Sequence, residues 1–126
     1  MKLRLRRNSI RLRLLRSEVD RFAASGRISE QLNFGDNSLQ YSLVMSEHAD
    51  FIRAEFANNE ITVLVPKDRA REWAIGNETG IGTIYPAGNE GELSITIEKD
   101  FACLDRPDDP DRHDAFPNPG SECNSV

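Results

Sequence analysis

The chain has 126 residues, of which 38% are hydrophobic and 29% charged, enough for one small hydrophobic core and too little for two ordinary domains. No apolar run approaches the roughly 18 residues that a membrane helix needs, and the charged start MKLRLRR lacks the apolar stretch of a signal peptide. We therefore expect a cytoplasmic protein without membrane contact. The net charge is −5, yet residues 1–16 hold seven basic residues and no acidic one, so contact with a polyanion is expected there.

Two short segments near the start of the chain alternate between basic and apolar residues. Residues 2–6 and 9–14 both follow this pattern, and a period of two is typical of strands with one buried face. The segment Arg7-Asn8-Ser9 between them has the small polar residues of a tight connection. The sequence therefore predicts an N-terminal β-hairpin.

A short helix and two further strands are predicted after this hairpin. Ser17 is a suitable N-cap for the helix, and Gly26 is a suitable end. Residues 28–34 and 39–45 have the composition of strands, and the residues between them are typical of a turn. The first part of the chain therefore has the predicted order ββαββ.

The second half of the chain repeats this plan. At an offset of 51 residues apolar positions fall on apolar positions, Ser17 falls on Asp68 and Phe34 on Tyr85, and the last strands align at an offset of 54. Alternating strands resemble one another by chance at even offsets, but this odd offset also aligns the helix and the turn. The sequence therefore predicts an α+β fold, with a β-rich barrel-like core built from two ββαββ repeats and two short helices. The repeats cover residues 2–46 and 51–98, within one domain of residues 1–98.

The composition changes from residue 99 onward. Residues 99–126 are rich in aspartate and proline and lack a sustained period, so they form either a disordered acidic tail or an extended acidic arm. Three apolar residues, Phe101, Leu104 and Phe116, can anchor such an arm against the core. We therefore expect an extended C-terminal arm.

Four arginines form the candidate binding site. On the predicted hairpin, Arg4, Arg6, Arg11 and Arg13 project from one face, and leucine and isoleucine residues take the other. Like charges opposite each other destabilise a sheet, so we expect anions beside these guanidinium groups. Three sources of anions stay open: nucleic-acid phosphates, an acidic protein partner, or the protein's own carboxylates, including those of the acidic arm.

The arm also contains ligand types that suit zinc, namely Cys103, His113 and Cys123. Their spacing matches no zinc finger, because the chain has no Cys-x-x-Cys pair. A partly buried Cys103 with a surface His113 and a loose Cys123 is an alternative, and so is a disulfide outside a reducing compartment. A small metal-binding protein or enzyme that uses this arm is therefore the alternative function.

Recognised catalytic motifs are missing from the sequence. Gly76, Gly80 and Gly82 do not lead from a strand into a helix, as a dinucleotide-binding loop requires, and turns account for them better. No nucleophile motif or phosphate loop accompanies the remaining polar residues. The sequence therefore favours a binding function over catalysis.

The segment Asn8-Ser9-Ile10-Arg11-Leu12-Arg13-Leu14 and the order of the predicted elements resemble the swapped-hairpin proteins of the AbrB regulator and MazE antitoxin type. Their motif runs from Gly-Asn-Ser through a short apolar-basic strand to Pro-Lys at a helix start, which Val65-Pro66-Lys67 matches in the second repeat. Arg7 stands where that family has Gly, and Leu15 stands where the first repeat should have Pro. The resemblance implies a DNA-binding regulator or an antitoxin-like module, with the four arginines contacting phosphates or base edges.

The chain as a whole is also similar to an uncharacterised bacterial family of unknown function. This similarity rests on the segment from Asn8 to Leu14 and on Glu98-Lys99-Asp100-Phe101-Ala102-Cys103-Leu104 before the tail. It covers nearly the whole chain and implies no mechanism.

Overall fold

A computed structural model describes residues 1–89, 91–101, 114 and 116 of the chain. Within these residues the backbone forms eight strands and two α-helices. In chain order the elements are β1 (Lys2–Arg6), β2 (Ser9–Leu14), α1 (Arg16–Ser25), β3 (Arg27–Asn33), β4 (Ser38–Ser46), β5 (Arg53–Ala57), β6 (Glu60–Pro66), α2 (Lys67–Ile75), β7 (Gly80–Pro86) and β8 (Glu92–Lys99). The predicted α+β class, rich in β-structure and with two short helices, is confirmed.

The strands form two four-stranded sheets. Sheet 1 has the order β1-β2-β8-β7, and sheet 2 has the order β3-β4-β6-β5. In each sheet two antiparallel hairpins are joined by one parallel pair, which is β2 with β8 in sheet 1 and β4 with β6 in sheet 2. Each sheet therefore combines a hairpin from the first half of the chain with a hairpin from the second half.

The barrel-like arrangement predicted for the core is not confirmed, because neither sheet closes into a barrel. Backbone pairing of the described strands stops at β1 and β7 in sheet 1, and at β3 and β5 in sheet 2. Tyrosine side chains connect the sheets instead. The Ala54 amide donates to the Tyr85 hydroxyl at 2.9 Å, and the Tyr41 hydroxyl donates to the Met1 carbonyl at 2.9 Å. Side-chain bonds of this kind tie two sheets together without completing the backbone ladder that a barrel requires.

One hydrophobic core includes residues of both sheets and both helices. Its fully buried side chains include Leu12, Leu14, Phe22, Leu43, Val63, Val65, Trp73, Ile95 and Ile97. The rings of Phe22 and Trp73 meet edge to face with their centroids 6.4 Å apart, and this contact packs α1 against α2. Because the inward positions of the central strands are occupied by this core, their alternate positions face outward.

The start of α1 differs from the predicted one. The helix follows Leu15, and Ser17 is its second residue rather than its N-cap. The Glu18 carboxylate explains the difference, because it accepts a hydrogen bond from the Leu15 amide at 2.8 Å and fixes the start of the helix there. Gly26 ends the helix as predicted, in the left-handed conformation with φ of 78°. Among the described residues, no helix has the length and apolar character needed to cross a membrane.

Candidate functional site

The outer face of sheet 1 brings the four predicted arginines together. The antiparallel register of β1 and β2 pairs Lys2 with Arg13, Arg4 with Arg11, and Arg6 with Ser9. Because side chains alternate along a strand, these positions share one face, whereas residues between them such as Leu12 are buried in the core. We define the basic face as Lys2, Arg4, Arg6, Arg11 and Arg13.

Short side chains continue this outer face beside the arginines. β8 lies next to β2 in parallel register, with Thr96 opposite Arg11. On the far side of β8, Gly82 of β7 is opposite Thr96. A Cβ atom on Gly82 would lie 2.6 Å from the Ile95 carbonyl oxygen, so a side chain fits there only if the backbone of β8 moves. Thr96 and Gly82 therefore project less from the outer face of the sheet than the arginines beside them.

Acidic residues neutralise one end of the basic face. Oε1 of Glu98 lies 3.2 Å from Nε of Arg11 and 3.7 Å from Nε of Arg13, so two guanidinium groups share one carboxylate. Asp100, which follows β8, places Oδ2 2.9 Å from Nζ of Lys2. The balanced charges therefore lie at the end of sheet 1 where β8 finishes and β1 begins.

Arg4 and Arg6 carry the unbalanced charge. Both side chains are exposed on β1, an edge strand, and neither forms an ion pair with a residue that the structure describes. Arg4 lies directly opposite Arg11, and such a pair of like charges destabilises a sheet by a few tenths of a kcal/mol. An anion bound between these groups offsets that repulsion. The edge of sheet 1 is therefore the part of this surface best suited to a polyanion.

The outer face of sheet 2 has no comparable excess of charge. Its charged strand residues in the described part of the chain are Arg27, Arg53, Glu55 and Glu60. Arg27 pairs with Glu60 at 2.9 Å, and Arg53 pairs with Glu55. The two sheets have corresponding strand arrangements, yet one presents a basic outer face and the other a neutral one.

The turn between β1 and β2 fixes the hairpin against β8. The Asn8 side chain donates to the Glu92 carbonyl at 2.7 Å, and the Ser94 amide donates to the Asn8 carbonyl at 3.1 Å. The Ser9 hydroxyl donates to the Arg6 carbonyl at 2.7 Å, which closes the turn itself. The Asn-Ser pair therefore has a structural role, since it sets the position of the arginine strands relative to β8.

A family model described as "Family of unknown function (DUF7009)" matches residues 1–120 of the chain. The chain belongs to DUF7009. This confirms the similarity to an uncharacterised family that the two end segments indicated. Neither the search of curated proteins nor the search of solved structures found a match. The resemblance to AbrB and MazE is not confirmed and stays a prediction.

The predicted zinc ligands of this DUF7009 protein, Cys103, His113 and Cys123, lie outside the residues that the structure describes. Within the described ranges, no group of three or more His, Cys, Asp and Glu residues is arranged to hold a metal ion. Zinc binding by the arm therefore stays a prediction, and so does the metal-dependent alternative function.

Two further residues of the basic surface, Lys2 and Glu98, are not among the predicted site residues. Lys2 has a clear sequence signal, because it continues the alternation that places Arg4 and Arg6 on one face. Glu98 has no local signal, since its position beside Arg11 depends on the parallel pairing of β2 with the distant β8. Local periodicity therefore predicts the basic residues of this surface, but it does not predict Glu98, the acid that pairs with two of them.

Proposed function

We propose that this DUF7009 protein binds DNA through the basic face of sheet 1. The observation that carries the proposal is the clustering of five basic side chains on one outer face whose described strand positions include only two acids, Glu92 and Glu98. Arg4 and Arg6 can contact phosphates without first losing an ion pair to a described residue. Since the chain as a whole carries a net charge of −5, attraction to DNA has to come from this local surface.

The β1–β2 hairpin forms one edge of sheet 1, in which β2 also pairs with β8. A two-stranded β-ribbon fits the major groove, and arginine forks bind phosphates or the edge of guanine in a bidentate manner. β1 is an edge strand, so the ribbon is open along one side. We assign phosphate contacts to Arg4 and Arg6, and phosphate or base-edge contacts to Arg11 and Arg13, which Glu98 holds in place.

We also infer that the two halves of the chain are copies of one ββαββ unit. The parallel ladder of sheet 1 begins at Ser9 and Ser94, and that of sheet 2 begins at Gln40 and Glu60, so offsets of 51 and 54 relate the two ladders without a slip. The proposed scaffold is thus symmetric in its backbone, and the excess of basic charge is confined to the outer face of one of its two sheets.

The third strands of the two units need a different alignment. β3 and β7 begin 53 residues apart, at Arg27 and Gly80, so Leu32 rather than Phe34 corresponds to Tyr85. Two of the three extra residues of the second unit then fall between α2 and β7, and the third falls between β7 and β8. Residues inserted at these places leave the parallel ladders in register, because the ladders involve only the other strands.

Fluorescence anisotropy with a short labelled DNA duplex of mixed sequence tests the DNA-binding proposal. We expect the full chain to bind at low salt, and the double variant Arg4→Ala/Arg6→Ala to bind at least about tenfold more weakly, because it loses two phosphate contacts. The control is Arg27→Ala/Arg53→Ala, which removes the same charge from the outer face of sheet 2 and is expected to bind like the wild type.

Thermal unfolding of each variant, followed by circular dichroism, confirms that all three proteins are folded before affinities are compared. The proposal is overturned if the folded wild-type chain binds no duplex. It is also overturned if the two double variants lose affinity equally, since net charge rather than the basic face would then determine binding.

A protein partner is the second candidate, as for an antitoxin-like module. The position of β1 at the edge of sheet 1 favours it, because an acidic strand of a partner could pair with β1 and neutralise Arg4 and Arg6. If this second candidate is right, the partner binds the wild-type chain and does not bind the Arg4→Ala/Arg6→Ala variant. The wild-type chain then shows no affinity for DNA.

A further inference from the structure

The N-terminal end of α1 holds a carboxylate from the C-terminal arm. Asp114 accepts a hydrogen bond from the Ser17 amide at 2.9 Å and a second one from the Ser17 hydroxyl. Amides in the first turn of a helix have no partner within the helix, and Leu15 has no side-chain group to cap them. The arm therefore supplies a second carboxylate at the start of α1, for the Ser17 amide, beside Glu18, which accepts from the Leu15 amide.

The ring of Phe116 occupies a site next to this helix end. Its centroid lies 5.6 Å from the Arg16 guanidinium, 5.5 Å from Nζ of Lys99 and 5.7 Å from the centroid of Phe101. The Phe116 amide also donates to the Asp100 carbonyl at 2.7 Å. The Phe116 ring thus contacts two cations and a second aromatic ring, and the Phe116 amide has a backbone acceptor.

Lys99 is held in this position by the core rather than by the arm. The residue is only 6% exposed, and its ammonium group donates to the Gly76 carbonyl at 2.8 Å at the end of α2. The same group lies 5.6 Å from the centre of the Trp73 ring. Burial lowers the pKa of Lys99 from its ordinary value. One wall of the site therefore exists independently of Phe116.

The corresponding end of α2 needs no carboxylate from elsewhere. Asp68 lies in the first turn of α2 and provides negative charge at that helix end. α1 has Ser17 at the same position of the helix, and Ser17 binds Asp114. α1 also has an acid in its first turn, Glu18, but its carboxylate binds the Leu15 amide and the Met1 ammonium group, whereas the Ser17 amide binds Asp114.

We propose that Arg16, Ser17, Lys99 and Phe101 form a recognition site for a linear Asp-x-Phe segment. Asp114 and Phe116 of the chain fill the site in cis, and an exposed Asp-x-Phe segment of a protein partner binds in the same manner when these two side chains leave it. The acid binds at the start of α1, and the aromatic ring binds between the two cations. No residue of the basic face belongs to this site, so the inference does not depend on DNA binding.

The experiment uses a fluorescently labelled peptide with the sequence of residues 111–119. We expect it to bind the full-length double variant Asp114→Ala/Phe116→Ala, in which the site is vacated, at least about tenfold more tightly than the wild type. The reason is that the attached segment competes at an effective concentration of about millimolar. The control is the same peptide with the changes Asp114→Asn and Phe116→Ala, and it is expected not to bind.

Asp114→Asn alone provides a second protein variant, since it keeps the packing of Phe116 and is expected to bind the peptide with intermediate affinity. Circular dichroism melts establish that both variants are folded. Absence of peptide binding by the folded double variant overturns the proposal. Equal binding to the wild type and the double variant, or equal binding of the control peptide, overturns it as well.

Discussion

Arg7 has a left-handed backbone conformation, with φ of 51°, in the turn between β1 and β2. Residues with a Cβ atom rarely adopt this conformation, whereas glycine does so without a steric penalty. The turn between β5 and β6 uses Asn58 and Asn59 for the same purpose, and asparagine tolerates left-handed conformations better than most residues. The left-handed conformation of Arg7 therefore destabilises the turn of the hairpin that carries the arginines.

Replacing Arg7 with Gly should raise the free energy of unfolding by about 1 kcal/mol, because it removes the strain of the left-handed conformation. Urea denaturation measures the change. Arg7→Asn is the matched variant, since it removes the same charge, and it should be stabilised by a smaller amount. A lower stability of Arg7→Gly than of the wild type would show that the turn is not strained.

The pKa of Asp114 reports whether the arm is attached to α1. The hydrogen bond from the Ser17 hydroxyl, the bond from the Ser17 amide and the charges of Arg16 and Arg21 together hold the pKa of the Asp114 carboxyl below its ordinary value. Because the carboxyl pKa is lower in the folded state, the contact stabilises the docked arm above the ordinary pKa of aspartate. The stabilisation is lost as the pH falls through the folded value.

Ser17→Ala should raise the pKa of Asp114 toward that of a free aspartate, since the largest contribution comes from the Ser17 hydroxyl. An NMR titration of the side-chain carboxyl measures the pKa directly. Ser25→Ala is the control, because its hydroxyl bonds the Arg21 and Arg27 carbonyls at the other end of α1. A pKa of Asp114 that is the same in all three proteins would contradict the contact.

At the level of the elements, local patterns predict most strands and both helices. The alternation of Leu3, Leu5, Ile10 and Leu12 with basic residues predicts β1 and β2, and Gly26 predicts the end of α1. The start of α1 was not predictable from capping preferences, because Glu18 reaches the Leu15 amide and competes with Ser17 as a cap. Which of the two side chains caps the helix depends on their geometry, and capping preferences do not describe that geometry.

The two helices are joined by an aromatic pair whose loss should be costly. Trp73→Ala should lower the free energy of unfolding by about 3–5 kcal/mol, because a fully buried ring that contacts Phe22 is replaced by a cavity. Phe56→Ala is the matched aromatic control, since its side chain is 70% exposed, and it should change stability by no more than about 0.5 kcal/mol. Chemical denaturation measures both values, and similar losses would contradict the assigned core.

At the level of the whole molecule, the pairing of β2 with β8 and of β4 with β6 could not be derived from local patterns. Parallel pairing joins residues as distant as Ser9 and Ser94, and alternation specifies which face of a strand is buried but not its neighbour. For this reason the arginines of the site were predictable, whereas the position of Glu98 beside two of them was not. The open edges of the two sheets likewise result from long-range strand pairing, which local patterns do not specify.

The distribution of charge over the two sheets is the basis of the proposed function. An acidic chain with a net charge of −5 keeps a basic surface on sheet 1, next to a neutral surface on sheet 2. Local charges within about a Debye length of the bound phosphates decide affinity at physiological salt, whereas distant acids are screened. The net negative charge of the molecule is therefore compatible with the proposed binding of DNA at the sheet edge that carries Arg4 and Arg6.

The salt dependence of DNA affinity tests this claim most directly. Each phosphate contact contributes a slope of about −0.9 to a plot of log affinity against log salt concentration, because binding releases condensed counterions. We expect a steep negative slope for the wild-type chain, a slope shallower by about 2 for Arg4→Ala/Arg6→Ala, and the wild-type slope for Arg27→Ala/Arg53→Ala. A wild-type affinity that stays constant between about 50 and about 200 mM salt, or one slope shared by all three proteins, would contradict the account.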